Sequence, residues 1–313
     1  MPRVPDSPAP PSQVDALIAD LESDGVSEGE GRFSLDRHVA REKVARFALP
    51  DPEDYVLLLV RSAVRQGARR IFVNADADEL HMEWDGRPFT RQELEDLYNA
   101  LLEGEPGAPG GLRELALALV TARALQLRKA EVRSGGPQGH ALILRPEKPD
   151  AFEEVRLDAP GTMVYVRRAL TREVVSREGA ELAGALSEQV RLAQRCRYAD
   201  LDIEVNGHPL QRDPVGADLE ALRDVEGPGV DGGVAGIRRG DEHPGRVHVV
   251  RDGVWIDTIE AERLRPGFEA VVVADSLVTD LTGFKVVRDT RWAQVLATVL
   301  ATQERVRKTL AAP

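Results

Sequence analysis

Apolar side chains crowd the stretch Tyr55-Val-Leu-Leu-Leu-Val60 and return at Ala63 and Val64. A run without a polar face predicts a helix over 53–66 that is buried on both sides. Pro52 suits its first turn, where a missing N–H costs nothing, and Gly67 suits its end. The period then changes to two. Arg70-Ile-Phe-Val-Asn and Glu79-Leu-His-Met-Glu-Trp alternate around Ala75-Asp76-Ala77-Asp78, which predicts a hairpin. Asp85-Gly86 is a turn signal. Thr90 and Glu93 have capping-box spacing for a helix over 91–102. Residues 104–111, GEPGAPGG, read as a loop, 112–127 as a second apolar helix and 129–134 as a strand.

Ahead of this block, Ser34 is placed to cap a helix over 35–47, with Asp36 in its first turn. Residues 1–30 are rich in Pro, Ser and acidic residues and read as a disordered tail, with the short helical pattern 14–21 as a candidate docking segment. Beyond the block, strands are expected at 142–145, 155–157 and 163–168. A helix over 173–195 follows, with Leu182, Leu186, Val190 and Ala193 on one face, and then a strand and turn at 202–207. The Gly, Asp and Pro content of 211–244 predicts a linker or a long insertion. Strands at 246–251, 254–256 and 270–274, a hairpin turn at Asp252-Gly253 and a helix over about 290–310 complete the chain. These elements describe an α+β protein. A mixed sheet covered by helices occupies 31–210, and a smaller α/β unit occupies 245–313.

The bulk numbers narrow the function. The chain has 313 residues, enough for two cores, and only 4% aromatics, so Leu, Val and Ala must fill them. A formal charge of -12 argues against a general nucleic-acid binder. The basic run from Arg65 to Arg70 reads as a solvated helix end. Cys196 is the sole cysteine, which excludes an internal disulfide and a Cys-based zinc site and points to a reducing cytoplasm. No apolar run approaches the roughly 18 residues of a membrane span, and 1–13 has no signal-peptide core.

The order apolar helix, strand, strand, Asp-Gly turn, helix, glycine-rich loop, apolar helix, strand over 55–134 resembles the ATP-binding domain of the GHKL superfamily, and within it the ninety-kilodalton heat-shock chaperones. The resemblance covers about 33–210 and, more faintly, 245–300, where a strand pair, a Val-rich strand and an Arg-bearing helix start resemble the chaperone middle domain. It implies a GHKL-type α/β sandwich. It also implies that Leu58 stands where the superfamily has the Glu that polarises the attacking water, and Ser62 where it has the Asn that completes the magnesium shell. Arg65 falls on the following acidic position. At the adenine turn Trp84 takes the carboxylate position on one alignment and Asp85 on an alignment slipped by one. Gly86 matches the first glycine of that turn, and Pro88 replaces the second. Gly110 and Gly111 remain from the glycine-rich lid, but helix-forming residues 112–116 follow. Thr162 matches the threonine behind the adenine, and Arg288 the middle-domain arginine that reaches the terminal phosphate.

Leu cannot accept a proton, and Ser reaches a metal at best through water. The substitutions therefore predict no catalytic residue, no metal and no cofactor. The expected function is a protein-binding or scaffold module without ATP hydrolysis; the alternative is an atypical ATP and magnesium site with slow turnover. Protein partners are expected, nucleic acid and membrane are not. Because one helix over 290–310 falls short of the chaperones' dimerisation domain, an obligate C-terminal dimer is not expected either.

Overall fold

The computed structural model describes residues 49–101, 110–146, 148–169, 177, 186–212, 219–238, 240, 243–280 and 282–310. The expected tail at 1–30, the helix at 35–47 and most of the loop at 104–111 lie outside them. So does most of the helix expected over 173–195.

The first unit is built on an eight-stranded sheet in the order β5-β4-β3-β6-β2-β1-β7-β8. Its strands are β1 (Arg70–Ala75), β2 (Glu79–Trp84), β3 (Leu127–Gly135), β4 (Gly139–Arg145), β5 (Lys148–Val155), β6 (Gly161–Arg168), β7 (Asp202–Val205) and β8 (His208–Pro209). Only β1 and β7 run parallel. Alternation sets the faces: Ile71, Val73, Leu80, Met82 and Trp84 are buried, whereas Arg70, Phe72, Asn74 and Glu83 are exposed.

Helix α1 (Tyr55–Arg65) is buried from Tyr55 to Ala63, as its apolar circumference requires. It follows a 3-10 turn at Pro52–Asp54. Helix α2 (Arg91–Glu95) carries the expected capping box between Thr90 and Glu93. It is shorter than expected and gives way to a 3-10 turn at Asn99–Leu101. Helix α3 (Leu112–Ala122) packs against α1. Helix α4 (Ser187–Arg195) buries Glu188 and Leu192. The strand expected at 155–157 lies earlier, as β5. It is an edge strand exposed along much of its length, so it has no apolar alternation to betray it.

The second unit is a five-stranded sheet in the order β12-β11-β13-β10-β9. It comprises β9 (Glu220–Asp224), β10 (Gly232–Ile237), β11 (Arg246–Arg251), β12 (Val254–Glu260) and β13 (Phe268–Val273). Helix α5 (Thr290–Leu310) lies on β9 and β10 and buries Trp292, Val295, Val299, Thr302 and Val306 at three-to-four spacing. The linker expected at 211–244 is thus corrected: it contains two strands, and β10 pairs with β13 along its length. The glycines serve close approach rather than flexibility. A Cβ on Gly233 would lie 2.3 Å from the Val271 carbonyl oxygen, and one on Gly227 would lie 2.9 Å from the Thr298 side chain. The buried apolar residues of both units form one continuous cluster.

Candidate functional site

Local rules bring most of the singled-out positions to one end of the large sheet. Gln66, at the C-terminal end of α1, ties them together. Its amide oxygen accepts from Trp84 Nε1 at 2.6 Å and its amide nitrogen donates to the Arg87 carbonyl at 2.6 Å. Gly86 has φ +127 and passes so close that a Cβ would lie 2.9 Å from the Gln66 carbonyl oxygen. A Cβ on Gly110 would lie 2.4 Å from Arg87 Nη2, which is itself paired with Glu93 at 2.7 Å. Thr162 is the register partner of Trp84, and its hydroxyl lies 2.7 Å from Ser134 Oγ, which accepts from the Phe89 N–H at 2.8 Å.

Each position is committed elsewhere. Leu58 has no exposed surface and belongs to the core. Ser62 is equally buried and donates to the Gly111 carbonyl at 2.8 Å. Trp84 is buried with its indole N–H satisfied. Asp85 Oδ1 accepts the Arg69 and Arg70 N–H groups at 2.7 and 2.8 Å, so its carboxylate organises the start of β1. Burial works against its ionisation, but those N–H groups and Arg70 outweigh it and hold the carboxyl below the ordinary range. The described carboxylates at that end, Asp85 and Glu93, are thus held by backbone N–H groups and by Arg87.

Arg288 is not part of this gathering. It is exposed, in the segment ahead of α5. The arginine that the second unit brings to the first is Arg251, at the end of β11, followed by the Asp252-Gly253 turn. That turn has φ +49 and +75, the geometry of a two-residue hairpin loop. Asp252 Oδ2 accepts from Arg61 Nη2 at 3.2 Å and Arg65 Nε at 2.9 Å, and Arg251 Nε lies 3.7 Å away. Arg61 also donates to the Gly283 carbonyl at 3.0 Å. Glu114, in the first turn of α3, faces Arg65 at 3.4 Å and Arg61 at 3.8 Å. The solvated helix end expected at Arg65 is therefore corrected. Burial drags its pKa down, but Glu114 and Asp252 more than reverse this and raise it. Sequence reasoning missed Arg61, Glu114, Arg251 and Asp252. The available signal was the pair Arg61 and Arg65, four apart in a helix otherwise without charge, because a buried guanidinium demands an anion.

A second buried polar network lies at the other end of α1. Arg168 donates to both Glu53 oxygens at 2.9 and 2.7 Å and also to Glu188. Arg177 reaches Glu188 at 2.7 Å, Glu53 at 3.2 Å and the Ala77 carbonyl at 2.9 Å. The Tyr55 hydroxyl donates to Glu188 at 3.4 Å. Burial first, and then the Glu188 charge, hold that phenol well above its ordinary pKa. Every acid here has a cation and every cation an acid, which is the pattern of a structural clamp.

A cavity of about 140 Å³ lies at the far end of α3, lined by Leu119, Leu127, Ala130 and Leu144 with Arg123 and Arg145. It contains none of the singled-out positions. Among the described residues no group of three or more His, Cys, Asp or Glu side chains is arranged to hold a metal, and no helix is long and apolar enough to cross a membrane. No family model and no curated protein matches the chain.

Proposed function

We propose that the chain is a nucleotide-independent relative of the GHKL ATPases, with the GHKL-type sandwich in its first unit and a chaperone middle-domain-like second unit, and that it works as a protein-binding or scaffold module. The observation that carries this is the state of Leu58 and Ser62. The matched helix positions hold an apolar side chain without exposed surface and a hydroxyl spent on the Gly111 carbonyl. Further support comes from the adenine end, where Trp84 fills the interior and Asp85 is bound to backbone N–H groups. With neither a base nor a metal shell, a bound triphosphate would lack both activation and charge compensation. What remains for such a fold is its surface, and the acidic composition directs that surface to proteins rather than nucleic acid.

Calorimetric titration of the full chain with ATP and magnesium tests the proposal. The expected result is no saturable heat up to millimolar nucleotide. Micromolar affinity would sink it and favour an atypical ATP site.

A further inference from the structure

The seam between the two units gathers buried charge. Arg61 and Arg65 project from α1, Arg251 arrives on β11, and all three turn to one oxygen, Asp252 Oδ2. Arg113 stands in the same electrostatic neighbourhood, pulled down in pKa by burial and by Arg61 and Arg65. Against these cations stand Asp252 and Glu114 as direct partners, with Asp275 behind, accepting the Asp252 N–H at 2.7 Å. The match is incomplete. Arg251 Nε is buried with no hydrogen-bond acceptor, and Glu114 Oε2 is buried with no donor. Arg251 is 2% exposed, and burial followed by Arg61 lowers its pKa to about 10. Arg251 Nη1 donates to the Thr279 hydroxyl at 3.0 Å, so its Nε is the donor that the seam leaves without a hydrogen bond.

Several guanidiniums converging on one oxygen is how proteins hold phosphate and carboxylate ions. Here the oxygen belongs to the chain. Asp252 stands on a tight turn, and Gly253 is packed against Val64, Ala199 and Leu201 of the first unit. We propose that the seam is an oxyanion site whose resident ligand is the chain's own Asp252 carboxylate, and that inorganic phosphate binds there when that carboxylate is absent. The second unit then acts as a tethered ligand of the first. In the parent the tethered carboxylate occupies Arg61 and Arg65 and keeps phosphate out; without it the junction between the units binds phosphate. Neither Leu58 nor Trp84 takes part; of the positions matched to the superfamily the site uses Arg65.

The test uses the full chain and two variants. Asp252→Gly removes the carboxylate, vacates its space and suits the positive φ of 49°. Asp252→Asn also suits that φ but leaves the space filled. Thermal unfolding is followed in chloride and in inorganic phosphate at matched ionic strength. Both variants should melt below the parent in chloride. Phosphate should raise the Asp252→Gly midpoint saturably, by about 5 °C at millimolar concentration, and should leave the parent and Asp252→Asn unmoved. Adding Arg65→Met to Asp252→Gly should abolish the response. An unresponsive Asp252→Gly, an equal rise in all three proteins, or a response that survives Arg65→Met overturns the proposal. If Asp252→Gly is unfolded in chloride, refolding on addition of phosphate supports it and failure to refold overturns it.

Discussion

The Ser62 hydroxyl donates to the Gly111 carbonyl at 2.8 Å, and the two backbones meet so closely that a Cβ on Gly111 would lie 2.4 Å from the Ser62 carbonyl oxygen. Gly111 also has φ +72 and stands at the N-cap of α3. One glycine therefore lets two buried helices close on each other, and the Ser62 hydroxyl is consumed in fastening them.

Gly111→Ala should accordingly destabilise the protein by about 2–4 kcal/mol, combining a strained left-handed backbone with overlap against backbone atoms that cannot swing away. Urea unfolding measures it. A loss under about 0.5 kcal/mol would mean that α1 and α3 are free to part. Gly67→Ala is the natural comparison: it shares a positive φ of 76° but meets nothing within 4 Å, so it should cost less.

Much of this fold was legible where one face of an element is buried and the other is not. The β1–β2 hairpin, the α2 capping box, the Asp252-Gly253 turn and the span of α5 all follow from local pattern. What stayed hidden depends on neighbours distant in sequence. The glycines of β10 read as flexible until β13 is laid beside them, when they become the condition for close pairing. Arg65 read as solvated because its anion is 187 residues away. Arg288, picked by its place in an order of elements, proved exposed, while Arg251, in a strand of ordinary alternation, proved buried. At the candidate site the positions were legible but their partners were not. Nothing near Trp84 in sequence announces that Gln66 will take its indole N–H.

Cys196 should be inert in the native protein. It is 1% exposed, and burial pushes its thiol up to about 12 despite the nearby Arg195. The thiolate is the reacting species, so at pH 8 a thiol reagent should label the folded chain negligibly and the unfolded chain fully. Mass spectrometry before and after addition of urea reads this directly, and rapid native labelling would show that α4 opens readily.

Acid should attack the clamp at Glu188. Burial alone would raise this carboxyl, but Arg168 and Arg177 outweigh it and hold it below its ordinary value of 4.5. A group whose folded pKa lies below its unfolded one stabilises the native state at pH above the unfolded value. That stabilisation is lost as the pH falls through the folded value. The parent should therefore lose stability below about pH 4.5. Glu188→Gln should be less stable at pH 7 by about 3 kcal/mol, because Arg168 and Arg177 keep their charges without their most buried partner. Its stability should then decline less steeply below pH 4.5. Parallel acid limbs in the two proteins would show that another carboxyl governs the transition.

Under the proposed GHKL relationship, placing Glu at position 58 and Asn at position 62 should break the protein rather than create an ATPase. Leu58→Glu removes a side chain with no exposed surface from the core, which costs about 2–5 kcal/mol before any charge is considered. It also places a carboxyl among apolar neighbours, where it is held neutral, and a neutral acid cannot serve as a base. Ser62→Asn puts a larger amide where a hydroxyl already fits between α1 and α3, an overpacking cost of about 1–3 kcal/mol, and it removes the bond to Gly111. The sum approaches the whole stability of an ordinary domain, about 5–15 kcal/mol. Circular dichroism should find the double variant largely unfolded or much less resistant to urea, and phosphate release from ATP should stay at the rate of buffer. Trp84 would stay buried and Gly111 would stay in close contact with α1 in such a variant. A folded double variant that turns over ATP with magnesium would show instead that the pocket is intact and lacks only two side chains.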